Sequence, residues 1–316
     1  MTSLAVGFIG IGTMGWPMAA NLVKAGHSVT VVDADAARAA RFAAEHGAAA
    51  ATDPVSLGRA ADVIVTMLPD GTQVREALTG AAGGGASLLS CLRPGSVVVD
   101  MSSSDPVGTR ELGAVLRSAG ARLVDAPVSG LAPKARAGTL TIMVGADDDA
   151  EVERVRPLLE AMGERLFRCG TLGCGHAMKA LNNVVAATAF TATAEALIVG
   201  RRFGLDPAVM TRILNVSTGR SFHSDVSFPD HVLTRRFATG FTLGLLAKDV
   251  GIAADLASGL AAEAPLIALV KTLWAEGRDE IGAAEDNSAI VRRWERLNGV
   301  TLEGTPAAEP GDPGDP

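Results

Sequence analysis

The 316-residue chain has no tyrosine and only three tryptophans, and aromatic residues make up 4% of it. A nucleic-acid reader stacks bases on aromatic rings and neutralises phosphates with clustered Lys and Arg. This chain offers neither, because its formal charge is −7 and no basic cluster interrupts the acidic balance. Three cysteines, Cys91, Cys169 and Cys174, are too few and too scattered for a disulfide framework, which argues for a reducing, cytoplasmic setting. The five histidines have no metal-ligand spacing with one another or with a cysteine, so no bound metal is expected. A strand pattern begins at Leu4 with no basic region or cleavage site before it, so no signal peptide is expected. One apolar stretch, 180–200, has the length of a membrane span. Asn182, Asn183, Glu195, Thr188, Thr191 and Thr193 within it point instead to a buried helix, and no span is expected.

What the chain does have is apolar mass. At 48% hydrophobic and 20% charged it can bury a large core, and its length suits two domains. The first half alternates short β-branched runs with alanine-rich helical stretches. Strands are expected at Leu4–Ile9, Ser28–Val32, Val63–Met67, Ser96–Asp100, Arg122–Ala126 and Leu140–Val144, and helices at 14–25, 35–46, 72–79 and 106–118. This rhythm describes an α/β domain with a doubly wound parallel sheet. After about residue 165 strand signals vanish, and helices are expected at 175–203, 207–216, 242–260, 265–277 and 285–296. The expected organisation is a dinucleotide-binding domain over 1–169 and an all-helical domain over 170–298, with the long helix 175–203 linking them. Residues 299–316, rich in Gly, Pro and acids, read as a disordered tail.

Gly10-Ile11-Gly12-Thr13-Met14-Gly15 follows the first strand and opens the first helix. In such a turn the first glycine permits the tight bend and the second lets a pyrophosphate approach the backbone. The third allows close packing of helix on strand. A lone GxGxxG is weak, but here the strand, the helix and an acid at the end of the second strand, Asp33, are all in place. Asp33 can accept the hydroxyls of an adenosine ribose and would repel a 2′-phosphate, so NAD is favoured over NADP. Arg38 and Arg41, a turn or two further on, are either a solvated helix face or a qualification of that preference.

Residues 170–183 place Lys179, Asn182 and Asn183 at i, i+3 and i+4, on one face of a helix that is otherwise almost wholly apolar. A desolvated amine shifts below its ordinary value of about 10.4 and becomes suited to proton transfer. A lysine reaching out of a core helix, with two amides satisfying neighbours, explains the same residues. The helix alone does not decide between them.

Four segments, in this order, resemble the 3-hydroxyisobutyrate dehydrogenase (β-hydroxyacid dehydrogenase) family. They are Gly10–Gly26 (GIGTMGWPMAANLVKAG), Asp125–Leu140 (DAPVSGLAPKARAGTL), Gly173–Asn183 (GCGHAMKALNN) and Phe241–Asp249 (FTLGLLAKD). Met67-Leu68-Pro69 and Asp100–Ser104, including Ser103, are similar to the family's cofactor-lining strand ends. The resemblance covers roughly residues 5–296. It implies a Rossmann domain followed by an all-helical domain, a dimer or tetramer, and a set of roles. Lys179 matches the catalytic lysine and Asn183 the amide that positions lysine and substrate. Ser129 and Gly130 match the loop that holds the substrate carboxylate, and Lys248 a lysine beside nicotinamide and substrate. One departure stands out: a second glycine is usual after Ser-Gly, and here that residue is Leu131. With Pro133-Lys134-Ala135 behind it, the loop is more similar to the tartronate semialdehyde reductase branch. Lys134 is either a contact for a second acidic substrate group or a solvated charge.

The leading expectation is an NAD-dependent oxidoreductase that interconverts a short β-hydroxy acid and its semialdehyde, with Lys179 as general acid/base. The alternatives are an NADP(H)-dependent semialdehyde or imine reductase of the same superfamily, or a non-catalytic dinucleotide-binding scaffold. Imine reductases replace the catalytic lysine, which is present here, and a scaffold has no use for it. His223 and Asp225 are further candidates for a pocket, with core packing the plainer reading for the histidine. Cys174 lacks a base that would make it a nucleophile, so packing is its expected role.

Overall fold

A computed structural model of the chain describes residues 3–80 and 87–304. The chain forms two compact units, Met1–Ala180 and Leu181–Pro316. In the first unit the order is β1 (Ala5–Ile9), α1 (Gly15–Lys24), β2 (Ser28–Val32), α2 (Ala36–His46), β3 (Ala49–Ala50), β4 (Val63–Thr66), α3 (Gly71–Thr79), β5 (Val97–Asp100), α4 (Pro106–Ser118), β6 (Arg122–Asp125), β7 (Val128–Ser129), α5 (Leu131–Ala137), β8 (Leu140–Gly145), α6 (Asp149–Met162), β9 (Gly163–Gly170) and the first turns of α7 (Cys174–Phe203).

The β-branched runs are strands because both of their faces are buried. Along β4, Val63 and Val65 enter the core beneath α1, α2 and α6, while Ile64 enters the core beneath α3 and α4. Along β5, Val97 and Val99 divide from Val98 in the same way. A strand buried on both faces needs no polar alternation, only the two-residue period that splits it between two cores. Aspartates start most of the helices: Asp35, Asp70, Asp105 and Asp148 accept N–H groups of the first turns of α2, α3, α4 and α6. Each such cap stabilises its helix by about 1 kcal/mol. Helices α1 and α5 have no such cap, since Met14 and Gly130 stand at their N-caps and supply no side-chain acceptor.

The sheet runs β3-β2-β1-β4-β5-β6-β8, with β7 and β9 also paired to β8. The doubly wound α/β class is borne out from β3 through β6, where every pair is parallel. At one side of the sheet β8 runs antiparallel to β6 and β7. Between β6 and β8 lie β7 and α5, and β8 returns along β7, so it meets β6 from the opposite direction. Strand β9, parallel to β8, lies where strand signals were expected to end. Its Glu164, Arg165 and exposed Phe167 lack the apolar alternation of a half-buried strand, so its sequence does not read as one.

The second unit is helical: α7 onward from Leu181, α8 (Pro207–Asn215), a π-helical segment His223–Val232, α9 (Leu243–Gly259), α10 (Pro265–Ile281), a 3₁₀ turn Asn287–Ile290 and α11 (Val291–Asn298). Its core is built around Phe190, whose ring meets His223, Phe228, Trp274 and Trp294 at centroid distances of 4.8–6.4 Å. The threonines of α7 bond back to carbonyls one turn earlier, and Thr191 also accepts the buried indole N–H of Trp274 at 3.0 Å. That is how an apolar helix carries them without orphaned hydroxyls.

Two expected boundaries move. The units divide after Ala180, not after residue 169, because the start of α7 is hydrogen-bonded to Asp125 of β6. Residues 299–304, expected as part of a disordered tail, are held in place. Leu302 is fully buried, its N–H donates to Glu295 at 2.6 Å, and Gly304 N–H donates to the Leu233 carbonyl. Residues 305–316 lie outside the described residues.

Candidate active site

The glycine loop takes the shape its residue types require. Gly10 has φ +92°, and a Cβ there would stand 2.8 Å from the Leu68 side chain and overlap the Met67 carbonyl. A Cβ on Gly15 would overlap the Gly10 carbonyl, so the third glycine is what lets α1 leave the loop so tightly. Gly12 differs: a Cβ there would meet nothing within 4 Å. Packing does not explain that glycine, whereas a ligand approaching the backbone does. The uncapped first turn of α1, with Thr13 exposed and Met14 half-buried, supplies unpaired N–H donors suited to an anion. The residues present therefore fit the pyrophosphate of a dinucleotide.

Asp33, at the end of β2, holds this loop. Its Oδ2 accepts the Ile11 N–H at 2.9 Å, and its Oδ1 accepts the Asp35 N–H at 2.9 Å. Arg38, left open by the sequence, donates to the same Oδ1 at 3.1 Å. Arg41 lies over the Trp16 ring at 4.8 Å instead.

Two buried aspartates at strand ends organise the neighbouring loops. Asp100, at the end of β5, accepts from the Thr66 and Ser104 hydroxyls and the Ser102 N–H. The Ser102 hydroxyl in turn accepts the Leu68 N–H at 2.9 Å, which ties Met67-Leu68-Pro69 to the turn containing Ser103. Asp125, at the end of β6, accepts the N–H groups of Gly173 and His176 at 2.7 and 2.8 Å, and so caps α7. His176 is itself buried. Its Nδ1 lies 2.8 Å from the Thr109 hydroxyl and its Nε2 3.6 Å from Asp100. Sequence reasoning assigned no role to Asp125 or His176, and took Asp100 only as part of a cofactor-lining strand end. An acid closing a run of β-branched residues, as in VVVD, is the signal that marks Asp100.

Strand β7 ends on Ser129, and Gly130 follows it, both half-buried at the entry to α5. Gly130 has φ +138°, and Leu131 has φ +58°. Leu131, where the family resemblance leads one to expect glycine, thus takes a left-handed backbone that favours glycine. A leucine in that region costs about 1–2 kcal/mol. Lys134 is exposed, with its stem packed beside Gly130.

On α7, Lys179 is half-buried rather than fully buried. Within the second unit, Asn183 is buried, and its amide donates to Asp249 at 2.6 Å while accepting from Asn182 at 3.0 Å. Asp249 is 1% exposed, and its other oxygen lies 3.1 Å from Lys248 Nζ. The structure thus brings Asn183 and Lys248 together through a carboxylate that carried no assignment. His223 is buried against Phe190 and bonded to Ser227 at 2.9 Å, and burial pushes its ring down to about 4. Asp225 pairs with Arg220 at the surface. Neither adds to the Asn183 cluster. Cys174, the first residue of α7, is half-buried, with the Arg110 guanidinium 3.9 Å away.

A dinucleotide loop on a Rossmann sheet, followed by a helical unit with a lysine-bearing helix, defines an NAD(P)-dependent dehydrogenase acting on CH–OH groups. Comparisons narrow the class. Residues 5–173 match the profile of the NAD binding domain of 6-phosphogluconate dehydrogenase, and residues 173–294 that of the NAD-binding domain of NADP-dependent 3-hydroxyisobutyrate dehydrogenase. The chain is 37% identical to 2-(hydroxymethyl)glutarate dehydrogenase of Eubacterium barkeri, over 96% of this chain and 98% of that one. It is 40% identical to the mitochondrial 3-hydroxyisobutyrate dehydrogenase of Homo sapiens, over 80% and 75%. The solved 3-hydroxyisobutyrate dehydrogenase of Mycobacterium tuberculosis with L-serine superposes with TM-score 0.83 at 34% identity, covering 93% of this chain and 99% of that one. The chain belongs to the 3-hydroxyisobutyrate dehydrogenase family. An imine reductase from Myxococcus stipitatus, at 18% identity and TM-score 0.63, shares the fold alone.

Proposed function

We propose that the protein interconverts a short β-hydroxy acid and its semialdehyde, with NAD preferred over NADP and Lys179 as the general acid/base. A nicotinamide dinucleotide, when bound, accepts or supplies the hydride. It would be held by Gly10, Gly12, Thr13, Met14 and Gly15, by Asp33 at the ribose, and by Met67, Leu68, Pro69 and Ser103. Lys179 takes the proton of the substrate hydroxyl in oxidation and returns it to the nascent alkoxide in reduction. The Ser129 hydroxyl and the backbone at Gly130 receive the substrate carboxylate as hydrogen-bond donors, without a charge of their own. Asn183 holds the substrate or lysine by its amide, and Lys248 adds a second cation.

The observation that carries this reading is the bond from Asn183 to Asp249. A buried carboxylate that fixes a buried amide, with a lysine on its other oxygen, contributes little that apolar packing would not. A functional amide held in one orientation accounts for the cost. The test is Lys179→Ala, assayed with a panel of 3-hydroxyisobutyrate, glycerate, serine, 3-hydroxypropionate and sulfonate analogues under NAD and NADP. Turnover is expected to fall by roughly 10²–10⁴-fold, with NADH binding retained. Substantial residual turnover removes Lys179 from the mechanism, and a hundredfold preference for NADPH overturns the cofactor assignment.

The same reading places the enzyme in the cytoplasm as a homodimer or homotetramer. Three unpaired cysteines suit a reducing compartment. Exposed Val185, Val199 and Phe203 on α7, with Ile213 and Val216 at α8, are apolar surface suited to a second copy. Sedimentation velocity reads the assembly directly.

A further inference from the structure

The acid that should recognise the ribose is already engaged. A carboxylate offers about four acceptor directions. Asp33 has given three of them, to the N–H groups of Ile11 and Asp35 and to Nη1 of Arg38. The two backbone bonds hold the glycine loop and the start of α2, and neither can be released without moving the chain. The 2′- and 3′-hydroxyls of an adenosine ribose are two donors, and one direction remains.

Arg38 is the movable partner. Its side chain is 39% exposed, while that of Asp33 is 8% exposed. Its second ion pair, to Asp35 at 3.5 Å, involves a carboxylate that is 50% exposed. Solvent screens such pairs, so the guanidinium can turn outward at little cost. In place it neutralises the charge that would repel a 2′-phosphate, and it presents a planar set of donors matched to phosphate oxygens. One residue therefore opposes the ribose diol and favours the phosphorylated one.

We infer that Arg38 sets the cofactor discrimination of this enzyme. It is displaced from Asp33 when NAD binds and takes the 2′-phosphate when NADP binds, so the preference for NAD is smaller than Asp33 alone would impose. The inference rests on the dinucleotide reading of the glycine loop and deepens it. Arg41 has no part in it, because its guanidinium lies over Trp16 and faces Glu45 at 3.8 Å.

The test is equilibrium binding of NADH and NADPH to the full-length protein by titration calorimetry, without substrate, for wild type, Arg38→Ala, Arg38→Gln and Arg41→Ala. Both Arg38 variants should raise the ratio of the NADPH to the NADH dissociation constant at least tenfold, with NADH bound as tightly as by wild type or more so. Arg41→Ala should leave the ratio within twofold. In Asp33→Ala, where Arg38 is retained, the preference should shift toward NADPH. If wild type binds both cofactors and the ratio is unmoved by either Arg38 variant, the inference is refuted while the dinucleotide site stands. If wild type binds neither, the dinucleotide reading falls and this inference with it.

Discussion

Replacing Gly12 with alanine separates what the glycine loop does for the fold from what it does for the ligand. A Cβ at Gly12 meets no atom within 4 Å, and its φ lies outside the left-handed region, so the folded protein accommodates a methyl group without strain. The unfolded chain loses freedom, which stabilises the variant by about 0.4–1 kcal/mol. The melting temperature should therefore hold or rise by roughly 1–4 °C. The methyl group stands in the space a pyrophosphate needs, where overpacking costs about 1–3 kcal/mol. That corresponds to a dissociation constant for NADH raised by roughly 5–150-fold. Thermal unfolding without cofactor and calorimetric titration with NADH measure the two halves separately. Gly15→Ala is the contrasting variant, since its Cβ overlaps the Gly10 carbonyl and the loop cannot close. It should lose folded protein before binding can be assayed. A Gly12→Ala protein that melts several degrees lower, or that binds NADH as wild type does, would refute the reasoning.

Three further outcomes follow from other parts of the molecule. Leu131→Gly should be more stable than Leu131→Ala by about 1 kcal/mol, because both lose the side chain but only glycine relieves the φ of +58°; equal urea midpoints would show that the backbone there is not strained. Asp125→Ala leaves two buried N–H groups at the start of α7 without acceptors, a loss of roughly 2–6 kcal/mol, and Asp125→Asn should recover part of it in denaturant titrations. His223 stays neutral in the folded protein down to about 4, whereas in the unfolded chain it takes a proton near 6.5. The unfolded state thus binds more protons between those values. Stability is full above pH 6.5 and falls on acidification by about 3 kcal/mol by pH 4, and His223→Gln should flatten that fall in unfolding midpoints measured across the window.

The parts of the molecule that were legible in the sequence are those where one residue type has one physical use. The glycine loop was legible because a close approach and a positive φ leave glycine alone, and β4 and β5 because valine runs of that length fit a doubly buried strand. Strand β9 was not, since its charged residues carry no period, and the antiparallel direction of β8 is set by its pairing with β7, which local propensity does not encode. At the candidate site the donors were visible while the acids that hold them were not. Lys179 and Asn183 stand out against an apolar helix. Asp249 and Asp125 do not, because Asp249 beside a lysine reads as a surface pair and Asp125 closes a strand of mixed residues, until the fold shows what each is bonded to. Leu131 was visible as a departure from the family, but its backbone conformation was not.

The two family profiles meet at residue 173, whereas the compact units divide after Ala180. The seven residues from Cys174 to Ala180 are therefore aligned with the helical segment of the family but folded as part of the first unit. Exchanging helical segments among relatives at residue 173 would seat a foreign α7 start on the native Asp125, in a position where Gly175 leaves no room for a Cβ beside Met143 and Asp125. A chimera joined at 180/181 keeps that capped start intact, along with Lys179, and exchanges everything beyond it. The natural seam for recombination in this enzyme lies inside a helix.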